Sequence, residues 1–323
     1  MSVNYQKFCS TLLEGIPTRT RNIISRRYGL EKDERETLES IGKDVGITRE
    51  RVRQIEESGL GKIKLKMKKY PKIFQEFELY IKKNGGLKKE SLLLDYFGEK
   101  NKSCVYFLLT LNNKIKRVSE NINFHSIWMT DDTSLNLAKK TIDSLSQNLK
   151  KLGKPLTLKE LRSLQPLNDN VLVSFLEVSK NIQNNQENLY GLRKWPEINP
   201  RGIKDKAFLI FKKTGKPLHF TAVTNKINGA LTQTVHNELI KDSRFVLVGR
   251  GIYALSEWGY YPGQVKDVIS KVLKESKKPL TKKEILNQVL KQRQVKANTV
   301  MLNLSNKNYF LKNSQGKYAV REA

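Results

Sequence analysis

The sequence predicts a mainly α fold with small β-hairpin wings, in which an N-terminal helix-turn-helix is followed by tandem winged-helix domains. Three observations carry this. A Lys-Pro-Leu triplet occurs at Lys154–Leu156, Lys216–Leu218 and Lys278–Leu280, 62 residues apart both times. Apolar positions between Ile16 and Lys64 recur at helical spacing around Gly46. Finally, 60 Lys and Arg against 32 Asp and Glu leave the 323 residues with a formal charge of +28.

The length exceeds one small core and leads us to expect several domains. The charge raises association with a polyanion whatever the fold, and double-stranded DNA is the first candidate partner. No run of about 18 apolar residues and no signal-peptide pattern is found, so neither a membrane nor secretion is expected. A cytoplasmic, nucleoid-associated protein fits. Cys9 and Cys104 stand 95 positions apart, which argues against a disulfide framework and against a cysteine zinc site.

Residues 1–70 read as the helix-turn-helix. Leu38, Ile41, Val45, Ile47, Val52 and Ile55 fall on the inner faces of two crossed helices, and Gly46 supplies the positive φ that the turn between them needs. Outward from the second helix point Arg49, Glu50, Arg53 and Gln54, at i, i+1, i+4 and i+5, with Arg51 beside them. Their chemistry suits base edges: Arg pairs bidentately with guanine, Gln with adenine, and Glu accepts from the cytosine amino group. Solvated charge on a helix face is the plainer alternative. The lysines that follow, Lys62, Lys64, Lys66, Lys68, Lys69 and Lys72, are candidates for phosphate contacts, Lys66 and Lys68 foremost.

Beyond Pro71 the chain reads as repeated modules, bounded near Asp131-Asp132, at Pro196–Gly202 and at Tyr261–Gly263. In 133–198, 199–261 and 262–323, an amphipathic helix precedes each triplet (Leu145–Leu152, Ala207–Lys213, Val265–Lys274). A Thr that caps a second helix follows it (Thr157, Thr221, Thr281), and a third helix comes next (Val171–Val178, Thr234–Lys241, Thr299–Asn306). Two β-like runs close each module, which is the order of a winged helix. The clearest wing is Arg244–Val248, Gly249-Arg250-Gly251 and Ile252–Trp258, with Tyr190 and Tyr318 matching Tyr253. Phe245, Val248, Tyr253, Leu255 and Trp258 are expected in a core, while Arg250 at the tip is a candidate DNA contact. The Asn-rich stretch Asn181–Asn188 reads as a wing tip. A fourth copy is expected in 71–132, with Ile81–Leu87 in place of the triplet, Val105–Leu111 as third helix and Ile115–Met129 as hairpin.

No catalytic signature is present. His125, His219 and His236 lie in different modules, with no His-x-x-x-His and no Cys beside a His, and His219 and His236 are read as surface or satisfied residues. We expect no enzyme, metal, cofactor or small-molecule substrate.

The string Ile16–Leu30, Thr37–Ile47 and Thr48–Glu56 resembles region four of bacterial primary sigma factors across 16–64. The resemblance implies that Arg49, Glu50, Arg53 and Gln54 read a minus-35 element. It also implies that Arg27, Thr37 and Glu39 contact or orient the DNA backbone, and that the head docks on the RNA polymerase flap. Gly59 stands where the family usually has alanine, which would weaken the recognition-helix extension by up to about 1 kcal/mol. The family's aromatic minus-10-melting region has no room in the 15 residues before Ile16, so a full initiation factor is not expected. Lys204–Trp258 resembles HARE-HTH winged-helix domains, which occur beside DNA-acting enzymes and in the polymerase delta subunit. The function expected is a sequence-specific transcription regulator. The alternatives are a polymerase-docking scaffold and a general architectural or modified-DNA binder.

Overall fold

The computed structural model describes residues 4–32 and 34–321. They divide into two compact units, Met1–Arg193 and Lys194–Ala323.

The first unit opens with α1 (Tyr5–Leu13), α2 (Thr18–Tyr28), α3 (Leu38–Val45) and α4 (Arg49–Met67). In α1, Tyr5, Phe8, Cys9 and Leu12 recur at i, i+3, i+4 and i+7, and all four are buried. The turn between α3 and α4 is as expected. Thr37 caps α3, its Oγ1 accepting from Ser40 N–H at 3.1 Å; Gly46 closes it at φ 68°; Thr48 then caps α4. Ile23, Ile41 and Val52 are fully enclosed, and Leu38, Val45, Ile47 and Ile55 pack around them, so the expected inner face is the observed one.

Gly59 lies where α4 meets α2. Helix α4 runs through it unbroken, and a Cβ there would sit 2.5 Å from Thr20 Cγ2 and 2.8 Å from Ile24 Cδ1. The bare backbone lets α2 cross α4 closely.

The unit continues with α5 (Pro71–Lys83), β1 (Leu87–Lys89), α6 (Glu90–Gly98), α7 (Lys102–Leu111), β2 (Lys116–Val118) and β3 (Ile127–Met129), the strands ordered β1-β3-β2. Next come α8 (Asp132–Leu152), α9 (Leu158–Leu164), α10 (Asp169–Val178), β4 (Ile182–Asn184) and β5 (Tyr190–Leu192). The second unit holds α11 (Gly202–Thr214), β6 (Leu218–His219), α12 (Phe220–Thr224), α13 (Thr232–Lys241), β7 (Phe245–Gly249) and β8 (Ile252–Leu255). It ends with α14 (Val265–Ser276), α15 (Lys282–Gln292), α16 (Ala297–Leu304), β9 (Phe310–Lys312) and β10 (Tyr318–Val320).

Three helices and an antiparallel hairpin therefore recur four times after α4. The spacing of 62 has a structural basis. The leucines of the three triplets, Leu156, Leu218 and Leu280, pair antiparallel with Tyr190, Tyr253 and Tyr318, as Leu87 pairs with Met129. Thr157 and Thr281 cap their helices in capping boxes with Glu160 and Glu284. Thr221 does not. His219 is the cap of α12, its Nδ1 accepting from Thr221 N–H, because the chain there enters the helix straight from β6.

The third helices differ sharply in exposure. In the first unit, α7 is buried along most of its length against α1, α2, α5 and α6. Residues 171–178 of α10 are all buried or half-buried, because the helix packs on β1. The Ser174 hydroxyl donates to Leu87 O at 2.6 Å, and Lys88 Nζ lies 2.6 Å from Glu177. Gly85, at φ +83°, leaves room for Val171, whose Cγ1 would lie 2.6 Å from a Cβ. In the second unit, by contrast, Thr232, Gln233, Thr234 and Asn237 of α13 and Asn298, Thr299 and Leu302 of α16 are exposed.

Candidate nucleic-acid interface

The exposed face of α4 brings Arg49, Glu50, Arg53 and Gln54 together, with Arg51 at its edge. The sequence alone allows this face to be loose solvated charge, but it is ordered internally. Arg53 Nε lies 3.0 Å from Glu50 Oε2 and its Nη2 2.7 Å from Glu50 Oε1, while Nη1 bonds Glu57. Arg51 Nη1 donates to Gln54 Oε1 at 3.1 Å. The bond from Arg53 holds the Glu50 carboxyl below the usual carboxylate range, and Glu50 in turn raises Arg53. Glu57 was not singled out in the sequence. Its signal was the i,i+4 spacing to Arg53.

Behind this face the orienting residues are mostly engaged in structure. Arg27 is half-buried. Its Nη1 donates to Glu36 O at 2.9 Å and its Nε lies 3.8 Å from Glu56. Thr37 is exposed, with its hydroxyl on the cap of α3, and Glu39 pairs with Lys43 at 3.5 Å on the surface. Arg26, which the sequence reading passed over, ties α2 to Glu36 and Asp44, both at 2.5 Å. The hydrogen bond from Arg26 is the main reason that the Glu36 carboxyl is held low. Arg26 thus fixes the approach of α2 to α3.

The Lys66 ammonium donates to Leu12 O at 3.3 Å and to Glu14 O, at the C-terminal end of α1, where it acts as a helix-capping cation. Lys64 donates to Asn113 Oδ1 at 3.0 Å. Lys62, Lys68, Lys69 and Lys72 are exposed.

In the second unit Arg250 is exposed at the β7–β8 turn, but the hairpin tip does not project freely. A Cβ on Gly251 would meet His219 Nε2 at 2.6 Å, and Gln294 N–H bonds Val248 O at 2.7 Å on the other side. Phe245, Val248, Tyr253 and Leu255 are buried, with Trp258 packed beside them. His219, Phe220 and His236 stack in succession, at 4.5 and 4.4 Å between ring centroids, and His236 meets Tyr253 edge-on. His125 is held low by its own burial, ahead of Lys89 and Lys180.

Among the described residues no group of three His, Cys, Asp or Glu could hold a metal ion, and no helix is long and apolar enough to cross a membrane. Cys9 and Cys104 are both buried, and Cys9 Sγ lies 3.8 Å from Cys104 O despite their separation in sequence.

Residues 12–65 match the family model of Sigma-70, region 4. The RNA polymerase sigma factor RpoS of Coxiella burnetii is 40% identical over 63 residues, 20% of this chain and 18% of that protein. The RNA polymerase principal sigma factor HrdD of Streptomyces griseus is 45% identical over 53 residues, 16% of each chain. The chain thus spans less than a fifth of the length of these curated relatives. Among solved structures, the bacterial selenocysteine-specific elongation factor EF-Sec aligns with 79% of this chain and 40% of its own. Its identity is 17% and its TM-score 0.24, too low to indicate a shared fold. The segment holding α2, α3 and all but the end of α4 is therefore similar to a DNA-binding helix-turn-helix used in transcription, Sigma-70 region 4.

Proposed function

We propose that this protein is a sequence-reading DNA-binding protein of transcription, in which the outer face of α4 enters a major groove at a minus-35-like element. The observation that carries this is the grouping of Arg49, Glu50, Arg53 and Gln54 on one exposed face of a well-capped helix, inside the segment that matches Sigma-70 region 4. Arg53 exchanges its Glu50 and Glu57 contacts for a guanine edge, and Glu50 is then free to accept from a cytosine amine. Thr37, Glu39 and Lys68 flank the groove.

The four repeats after α4 are, in this proposal, winged-helix modules at 71–132, 133–198, 199–261 and 262–323, the third of HARE-HTH type. They divide the work. The buried α7 and α10 make the first two a frame for the head. The open α13 and α16, with Arg250, add contacts to DNA or to RNA polymerase. No catalytic step is assigned, and the protein works at the nucleoid. A second reading, a scaffold docked on the polymerase flap, is favoured by the engagement of Arg53 with two carboxylates of its own helix. The test is selection of duplexes from a random pool by the full chain. An enriched motif that vanishes with Arg53→Ala supports reading, and no enrichment overturns it in favour of the scaffold.

A further inference from the structure

The outer stripe of α5 is uncovered within its own unit. Leu79 at its centre is 67% exposed, and Tyr96 across from it on α6 is 62% exposed. Both open on a groove of about 390 Å³ whose lining includes Lys72, Glu76, Lys83 and Phe97. Its floor is rigid. Tyr80 and Tyr96 stack with centroids 4.2 Å apart, and Phe97 stands edge-on to both at 5.2 and 4.9 Å. Exposed apolar side chains on so ordered a floor mark a surface that something covers.

The charges select the occupant. A nucleic-acid strand would place phosphates over Glu76, which lies between Lys72 and Lys83 on the same stripe. A second copy of α5 running antiparallel meets no such conflict. Glu76 lies three residues before Leu79, and Lys83 three after Tyr80. A two-fold axis passing between Leu79 and Tyr80 therefore sets Glu76 against the partner's Lys83, and Lys83 against the partner's Glu76, with the apolar residues between them. Among the described residues neither Glu76 nor Lys83 has an ion pair within the chain. We propose that α5 and the Tyr96 edge of α6 form an isologous interface with a second copy of this chain. A helix of 13 residues offers a face about 20 Å long, which fits a weak, concentration-dependent dimer. Two heads per particle would then read two half-sites, a consequence that adds to the DNA-reading proposal without being needed by it.

Sedimentation velocity of the full chain at physiological salt, from low to high micromolar concentration, tests this. The wild-type protein is expected to shift from monomer to dimer. Glu76→Lys and Lys83→Glu should each weaken the dimer by about tenfold or more, because like charges then face one another. The two single variants mixed together, and the double variant Glu76→Lys/Lys83→Glu, should both associate again, since each restores opposite charges across the axis. Leu79→Glu should stay monomeric, with an unchanged melting curve to show that it folds. A wild-type chain that is monomeric throughout overturns the proposal. So does a dimer indifferent to either charge reversal, or single variants that fail to recover when mixed.

Discussion

Arg53 and Glu50, one helical turn apart on α4, hold each other by two bonds of 3.0 and 2.7 Å in the absence of any DNA. An exposed pair of this kind adds little to stability. A bidentate base contact takes the place of these bonds when DNA arrives, and its net worth is the surplus over them. Replacing Arg53 with Ala should therefore cost about 1 to 3 kcal/mol on the preferred site and leave random duplex nearly as well bound. Binding isotherms on the two DNAs, with melting curves alongside, check it. Equal losses on both would mean that α4 does not read bases.

The lysines at the end of α4 and just beyond it separate into two kinds. With a charge of +28, log Kd against log salt for duplex DNA should have a slope steeper than about 4. Lys68→Ala should make that slope shallower by about one unit, as loss of a phosphate contact does. Lys66→Ala should leave the slope unchanged and lower stability by about 1 kcal/mol, because its ammonium serves the C-terminal carbonyls of α1.

Gly59→Ala sets two effects against each other. Helix propensity favours alanine by about 1 kcal/mol. Crowding against the stiff Thr20 methyl and the end of Ile24 costs about 1 to 3 kcal/mol. We expect crowding to win and the melting temperature to fall. Thr20→Ser removes the nearest atom, so the double variant should recover most of the loss. A single Gly59→Ala that melts higher than wild type would show that α2 and α4 are less tightly set than the contact distances imply.

The head was legible in the sequence because its contacts are local. Leu38, Ile41 and Val52 declare two crossed helices within fifteen residues, and the partners of Arg53 lie within one turn of it. The repeat was legible because the leucines of these pairings recur at a fixed interval, each with a tyrosine downstream to pair with. What the sequence did not disclose depends on partners far along the chain. Lys66 looks like any basic surface residue until the end of α1, 52 residues earlier, is placed beneath it. The third helix α10 has the pattern of its counterparts, and only β1, 87 residues earlier at the Ser174–Leu87 bond, covers it. Cys9 and Cys104 meet for the same reason.

That difference between third helices supplies the last prediction. On α13, Gln233 and Asn237 are exposed one turn apart, with Gln233 Nε2 donating to Asn237 Oδ1 at 3.2 Å, and both offer donors and acceptors to a groove or to phosphates. Replacing both with Ala removes no core contact. It should leave the melting curve unchanged and weaken duplex binding by the full chain by up to about 2 kcal/mol, about one for each hydrogen bond lost. The corresponding helix α10 should respond in the opposite way. Ser174→Ala leaves the Leu87 carbonyl short of the donor it has, at a cost of about 1 to 3 kcal/mol in stability. Below its melting range the variant should still bind DNA as wild type does, because α10 is turned to β1 and not to solvent. If the α13 double variant binds DNA normally, the open helices of the second unit face a protein. If folded Ser174→Ala loses affinity, the first unit is not the rigid frame that its burial implies.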